Sequence, residues 1–281
     1  MIIDTHAHIY SPDTAAYPPI TDPLRPPAGT GSPEHLRREM QAAGVDRAML
    51  VQTSTFYGWD NSFVRDTAQA TRDWAAGVCT LDPENPHSPD VLYALVSRSN
   101  VRALRIYPVR PGARYDNPGN RRLFAAASSL GIAVNALLSL ETADELAGLV
   151  REYSDVPVVL DHCLALQAGP KYAATVAKVV ELARHPTVHA KLTFLPTGSA
   201  EEYPFRDLHD ACRRFVAAYG PERCVWGSDC PTKLWCPKVT YAGHLRLFQQ
   251  ELGLTVVEQE AILGGTAERL YFARASRPDG S

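Results

Sequence analysis

Residues 2–10 read Ile2-Ile3-Asp4-Thr5-His6-Ala7-His8-Ile9-Tyr10, an apolar start that gives way to polar residues, with two histidines two positions apart. Successive side chains of a strand point to opposite faces, so His6 and His8 leave this strand on the same side. Seven further strand-sized runs rich in β-branched residues follow: Arg47 to Thr53, Ala75 to Leu81, Val101 to Tyr107, Ile132 to Leu138, Pro157 to Cys163, Val188 to Phe194 and Cys224 to Cys230. With Ile2 to His8 they make eight, and their starts lie mostly 25 to 36 residues apart. That spacing leaves room for a strand, a helix and two loops in each unit.

The intervening segments carry helix punctuation. Ser32-Pro33 opens a run that stops at Gly44, Asn120 leads to a stop at Gly131, and Tyr203-Pro204 leads to Gly220. Repeated βα units build a parallel sheet, and eight of them predict a closed (β/α)8 TIM barrel of the α/β class. A doubly wound sheet would have fewer strands and a glycine-rich first turn, and neither G-x-G-x-x-G nor G-x-x-x-x-G-K-[ST] occurs. Dividing 281 residues by about 150 suggests two domains, but barrels commonly use about 200 to 250 residues for one. With no interdomain linker in view, residues 1–281 are read as a single barrel domain.

Hydrophobic residues form 45% of the chain and charged residues 21%, which supplies a large core and excludes disorder, collagen and coiled coil as the main class. Lys plus Arg number 28 against 31 Asp plus Glu, with no basic stripe to track phosphates, so nucleic acid is not an expected partner. The apolar runs break well before about 18 residues, which predicts no membrane span. The opening MIIDTHAHIY lacks the basic start, apolar stretch and cleavage site of a signal peptide, and a cytoplasmic location is expected. Cys79, Cys163, Cys212, Cys224, Cys230 and Cys236 form no C-x-x-C pair and are read as reduced, buried thiols.

Two segments depart from the regular pattern. Ser11 to Pro33 carries seven prolines and no periodicity, as a long loop at the catalytic end or a subunit contact in a homo-oligomer would. Thr255 to Leu263 and Thr266 to Ala275 read as terminal helices that close the barrel's bottom or edge.

In a barrel, side chains at the C-terminal strand ends converge on one mouth. Strand one brings His6 and His8 there, strand six Asp161-His162, and strand eight Gly227-Ser228-Asp229. His6, His8, His162 and Asp229 are nitrogen and oxygen donors suited to one divalent metal, zinc or manganese. Such an ion would activate water or polarise a carbonyl. Without a metal the same groups serve as hydrogen-bond donors and general acids or bases. His35, His87, His185, His209 and His244 fall in helices or loops, and His189 lies near the start of strand seven, the wrong end for catalysis.

Other strand ends carry Gln52, Arg105, Tyr107, Asn135, Lys191 and Thr193. A cation inside a barrel must meet a carboxylate, so Arg105 and Lys191 face either Asp161 or another acidic residue, or an anionic substrate. The stretch Gln52-Thr53-Ser54-Thr55-Phe56-Tyr57-Gly58-Trp59-Asp60-Asn61 combines hydroxyls with aromatic rings. Asp60-Asn61 is read as the cap of the next helix, and Tyr57 and Trp59 as pocket walls.

These residues together resemble the amidohydrolase superfamily, in particular its amidohydrolase-related branch, which contains 2-pyrone-4,6-dicarboxylate lactonase and sugar-lactone hydrolases. The resemblance runs nearly end to end: DTHAHIY at 4–10, GVDRAMLVQTSTFYGWDN at 44–61, ALRIY at 103–107, LDHC at 160–163, HAKLT at 189–193, WGSD at 226–229 and ILGGTAERLY at 262–271. It implies that His6, His8, His162 and Asp229 form the catalytic core and that Arg105 helps hold the substrate. Members with a robust metal centre add a histidine, a lysine carbamate or a carboxylate from strands four and five, where this chain has Arg105 and Asn135 or Leu137. A binuclear centre is therefore not expected. The branch's Trp-Pro-His after the strand-eight aspartate is here Cys230-Pro231-Thr232, and its terminal Asn-Ala is Thr266-Ala267.

The activity this resemblance implies is hydrolysis of a small cyclic ester, anionic or polyhydroxylated. Asp229 would take a proton from water, and His6, His8 and His162 or a metal would polarise the carbonyl. Arg105, Lys191, Tyr57, Gln52 and Tyr107 would bind the substrate. Two other readings stand beside it: metal-dependent nonoxidative decarboxylation of an aromatic or muconate-type acid, against which the missing strand-five histidine counts, and a barrel that binds a metabolite without catalysis.

Overall fold

The computed structural model describes residues 1–108, 110 and 112–273. Eight parallel strands follow one another around a single sheet in sequence order. They are β1 Ile3–Ala7, β2 Arg47–Val51, β3 Ala75–Thr80, β4 Val101–Ile106, β5 Ala133–Ala136, β6 Val158–Leu160, β7 Val188–Lys191 and β8 Cys224–Val225. The ring comes together where β8 meets β1. Thr5 N–H donates to Trp226 O at 3.1 Å, His8 N–H donates to Cys230 O at 2.7 Å, and Ala7 bridges Cys230. The chain thus forms the (β/α)8 barrel that its eight runs predict.

A helix follows each strand in turn: α1 Pro33–Ala43, α2 Ser62–Ala70, α3 Ser88–Arg98, α4 Pro118–Leu130, α5 Ala143–Glu152, α6 Tyr172–Leu182, α7 His209–Tyr219 and α8 Tyr241–Arg246. The Ser32 side chain caps α1 by accepting from His35 N–H, and Gly44 ends it in the left-handed conformation, as the punctuation predicts. Two starts differ from the sequence reading. Asn117, not Asn120, caps α4, because Asn120 is buried and its amide donates to Tyr115 O. Helix α7 begins only at His209, since Phe205 adopts a φ of 63° and a 3-10 turn, Arg206–Leu208, follows it. At α2, Asp60 accepts from Ser62 N–H, whereas the amide of Asn61 turns away to Trp59 O and Thr80 O.

The core has two layers. Inside the barrel, Ile3, Met49, Val51, Ala76, Val78, Ala103, Ala133, Val159 and Val225 pack together, plugged from below by Ala267 and Tyr271. Alternate positions on neighbouring strands fill a small barrel in this way. Tyr271 reaches far enough to donate its hydroxyl to Asn135 Oδ1 at 2.9 Å. The terminal segment therefore closes the bottom of the barrel, as expected, although residues 274 and 275 of the predicted helix lie outside the described residues. The larger layer lies between strands and helices and takes the other strand faces, such as Ala48, Leu50 and Leu104, with Leu36 and Met40 of α1.

The strands end earlier than the apolar runs suggest, most clearly β6 and β8. His162, Cys163, Leu164 and Ala165 all have φ between 47° and 62°, and Asp229 has φ 53°. Left-handed residues break the extended ladder, so His162 and Asp229 stand just past their strands and not within them. The proline-rich loop is tied down by backbone hydrogen bonds, Ile20 N–H to Phe56 O, Leu24 N–H to Thr55 O and Tyr10 N–H to Gly31 O. All six cysteines are buried and unpaired. No helix among the described residues is long and apolar enough to cross a membrane.

Candidate active site

The position of His6 depends on an irregularity in β1. Ile3 packs inside the barrel, and strict alternation would then turn His6 outward. The register between β1 and β2 shifts between Asp4 and Ala7, and this bulge restores the inward direction for both histidines. Asp4, fully buried, holds the shifted backbone. Its Oδ1 accepts from His6 N–H at 3.0 Å and Ser228 N–H at 2.9 Å, and its Oδ2 accepts from the Ser228 hydroxyl at 2.6 Å and the Tyr241 hydroxyl at 3.0 Å. One carboxylate thereby joins the segments that carry His6 and Asp229. Gly227 permits the close approach, since a Cβ there would lie 2.7 Å from His6 Cβ.

Beneath the histidines, Asp161 is flanked by two cations. Lys191 Nζ lies 2.7 Å from Asp161 Oδ1, and Arg105 Nε lies 2.9 Å from Asp161 Oδ2. Burial raises the pKa of Asp161, but the charges of Lys191 and Arg105 outweigh it and hold the carboxyl at about 2. Of the two partners open to these cations, the internal carboxylate is the one they meet.

Three imidazoles crowd above this pair. His6 Nε2 and His8 Nε2 are 3.2 Å apart. His8 Nδ1 lies 2.9 Å from Val51 O, and His162 Nδ1 lies 2.7 Å from Thr193 Oγ1. Burial, then the nearby cations, push His6 well below the usual imidazole range, and burial first of all pushes His8 and His162 down to about 3. All three are neutral at ordinary pH. Asp229 faces them, its oxygens 3.7 Å from His6 Nε2 and 3.6 Å from His162 Nδ1. Burial pushes its carboxyl well above the usual carboxylate range, and neither oxygen has a hydrogen-bond partner among the described residues. Among the described residues, His6, His162 and Asp229 offer ligand atoms within 4.8 Å of one another, so the group has the spacing to hold a metal ion. The hydrogen bonding is less suitable: Lys191 Nζ, a donor only, lies 3.3 Å from His6 Nδ1.

A cavity of about 300 Å³ opens over this cluster, lined by His8, His162, Asp229 and Arg105 among the residues singled out by sequence. The rest of its polar wall comes from Thr53, Ser54, Thr55, Gln167 and Thr197, and its apolar wall from Leu137, Leu166 and Trp235 among others. His6 and Lys191 are fully buried below it. Tyr57 does not line the cavity; its hydroxyl accepts Ser11 N–H at 2.7 Å and anchors the proline-rich loop. Gln52 donates to Gly58 O and Asp60 O, shaping its own loop. Tyr107 stacks on Trp59, with ring centroids 5.2 Å apart, and neither is among the residues that line the cavity. In the Gln52–Asn61 stretch, then, the hydroxyls reach the cavity and the aromatic side chains support them. Trp235, Gln167 and Thr197 were not singled out. They stand beyond strand ends, Thr197 and Trp235 in the short helices Phe194–Gly198 and Thr232–Trp235 and Gln167 in a loop, where strand alternation gives no signal. Asp161 carried one, as the position two after inward-facing Val159.

Eight strand ends converging on a carboxylate, three imidazoles and a guanidinium define an enzyme-type barrel, with its polar site at the C-terminal mouth. The chain belongs to the amidohydrolase family, whose model (Amidohydrolase) matches residues 3–273. It is 26% identical over 288 residues to L-fucono-1,5-lactonase of Burkholderia ambifaria, covering 99% of this chain and 97% of that protein. It is 26% identical over 276 residues to D-galactarolactone isomerase of Agrobacterium fabrum, covering 89% and 83%. Its fold matches the crystal structure of a probable 2-pyrone-4,6-dicarboxylic acid hydrolase from Acinetobacter baumannii with a TM-score of 0.81 at 20% identity, covering 96% and 98% of the two chains.

Proposed function

We propose that the protein hydrolyses a small polyhydroxylated lactone, with Asp229 as general base. The observation that carries this reading is the Asp229 carboxylate, buried and without a hydrogen-bond partner, in the wall of the cavity beside His162. A desolvated carboxylate of raised pKa is a stronger base than one in water. In the proposed reaction Asp229 takes a proton from a water molecule as its oxygen bonds to the lactone carbonyl carbon. His162, with its Nδ1 satisfied by the Thr193 hydroxyl, presents Nε2–H, and Arg105 presents its remaining guanidinium N–H groups; these donors meet the developing oxyanion. When the ring C–O bond breaks, protonated Asp229 returns the proton to the leaving alkoxide. The product is the open-chain hydroxy acid.

The charges argue against a dianionic substrate. Lys191 and Arg105 share Asp161, so ionised Asp229 brings the cluster to neutrality and leaves only Arg105 to meet a carboxylate. Neutral hydroxyl and amide groups form most of the polar wall, which suits a sugar lactone with at most one carboxylate. The spacing of His6, His162 and Asp229 would suit one zinc or manganese ion, but the contact of Lys191 with His6 does not, and the steps above use side chains alone. A decarboxylase reading finds no support at β5, where Asn135 is engaged by Tyr271.

The test is a panel of five- and six-membered aldonolactones, 2-pyrone-4,6-dicarboxylate and aromatic carboxylic acids, followed by acid release, carbon dioxide release and product mass. Ring opening of aldonolactones with gain of one water is expected. Carbon dioxide release from an aromatic acid with every lactone left intact would overturn the assignment.

A further inference from the structure

We propose that Lys191 is a resident cation that fixes the protons of the His6–His8 pair, and that this pair consequently binds no metal ion in the native protein. Lys191 Nζ has three neighbours within hydrogen-bonding distance: Asp161 Oδ1 at 2.7 Å, Thr5 O at 3.2 Å and His6 Nδ1 at 3.3 Å. An ammonium has three protons and no lone pair, so Lys191 forms an ion pair with Asp161 and can only donate to Thr5 O and His6 Nδ1. His6 accepts at Nδ1 and, being neutral, carries its own proton at Nε2. That proton faces His8 Nε2, 3.2 Å away. His8 donates its Nδ1–H to Val51 O at 2.9 Å, which leaves Nε2 as the acceptor that His6 requires. The hydrogen bonds run in one direction, from Lys191 through His6 and His8 to Val51.

A metal held by both Nε2 atoms needs bare lone pairs there, and His6 offers none in this arrangement. Its proton would have to move to Nδ1, against the ammonium of Lys191. The ion would also add positive charge where Lys191 and Arg105, both buried, already share one carboxylate. Lys191 instead performs from below the orienting task that a hydrogen-bonding partner performs for a metal-bound imidazole, selecting the tautomer and holding the ring. This inference concerns proton positions and does not depend on which bond the enzyme breaks.

The experiment uses the full-length protein labelled with ¹⁵N at histidine, stripped with chelator and then titrated with zinc chloride. Long-range ¹H–¹⁵N correlation separates protonated from bare ring nitrogens, and mass spectrometry after dialysis gives the zinc content. The expected result is a bare Nδ1 and a protonated Nε2 on His6, unchanged by zinc, with zinc content far below one per chain. In Lys191→Met the methionine leaves Nδ1 free to take the proton, and zinc should then bind with both His6 and His8 resonances shifted. A wild-type spectrum with His6 protonated at Nδ1, or one retained zinc per chain with His6 and His8 shifted, would overturn the proposal. So would a folded Lys191→Met that still excludes zinc. The wild-type measurement decides the question even if that variant does not fold.

Discussion

Lys191 and Asp161 form an ion pair, Nζ to Oδ1 2.7 Å, in which both side chains are 0% exposed. Arg105 takes the other carboxylate oxygen, so the floor of the site has two cations and one anion. Removing the anion alone leaves two like charges buried without a partner, which costs about 3–5 kcal/mol for broken pairs of this kind. Asp161→Asn should therefore lower unfolding free energy by that order in a urea titration. Adding Lys191→Met should recover part of the loss, because the excess cation is then gone. Equal stability of Asp161→Asn and wild type would mean that the pair is not formed as described.

Asp229→Asn separates chemistry from folding. Asp229 has φ 53°, and asparagine tolerates that left-handed conformation as aspartate does, whereas alanine would be strained. Since neither carboxylate oxygen has a partner, the amide breaks no internal hydrogen bond. Circular dichroism and melting should stay close to wild type, while kcat falls by about 10²–10⁴-fold, the contribution of a general base. Turnover near the wild-type level would remove Asp229 from the reaction.

The same residue sets a pH dependence. Burial, reinforced by Asp4 and Asp161, raises the Asp229 pKa well above its ordinary value of 3.8. The base is active only when ionised, so kcat should rise with pH through that raised value and level off above it. An unperturbed carboxylate would bring the rate to its plateau by about pH 5, and here the rise should lie at higher pH than that. Stability moves the other way: the fold binds this proton more tightly than the unfolded chain, so the Asp229 contribution falls as pH rises from 3.8 through the folded value. A rate profile already level at pH 5 would contradict the raised value.

Tyr57 provides a contrast, a residue that resembles a pocket wall in sequence and serves as an anchor in the structure. Its hydroxyl accepts the buried Ser11 N–H, and Tyr57→Phe leaves that donor unsatisfied at a cost of about 1–3 kcal/mol. Limited proteolysis within residues 11–32 should accelerate, with KM for the best lactone unchanged. A raised KM with unaltered proteolysis would place Tyr57 against the substrate.

That contrast marks how far the sequence could be read. The barrel was legible because strand-sized runs and helix caps such as Ser32 and Gly44 are local signals, and eight of them leave few topologies. His6, His8, His162 and Asp229 were legible as polar residues at strand ends. The bulge that turns His6 inward was not, because it depends on tertiary packing around Asp4 and Gly227, and neither was the left-handed turn at His162, which runs through four residues that are not glycine. Which carboxylate Lys191 and Arg105 would meet was open for the same reason: composition shows two cations, and only the register of β4, β6 and β7 brings them to one aspartate.

Acid lability follows from the buried imidazoles. His6, His8, His162, His189 and His244 are all held below the ordinary imidazole value of 6.5, burial being the largest cause in each. Where a folded pKa is lowered, the unfolded chain binds more protons than the native one between the two values. Stability then increases with pH in that window and is lost on acidification. The window opens at 6.5 and reaches down to about 4 for His189 and His244 and about 3 for His8 and His162. Each proton contributes a slope of about 1.4 kcal/mol per pH unit, so five acting together make the loss steep well before Asp161, held at about 2, is protonated. Calorimetry in buffers of different ionisation enthalpy should register uptake of several protons on unfolding near pH 5, with Tm dropping continuously from neutral pH downward. A Tm that stays level from pH 6.5 to pH 5 would show that these histidines are not neutral and buried in the native protein.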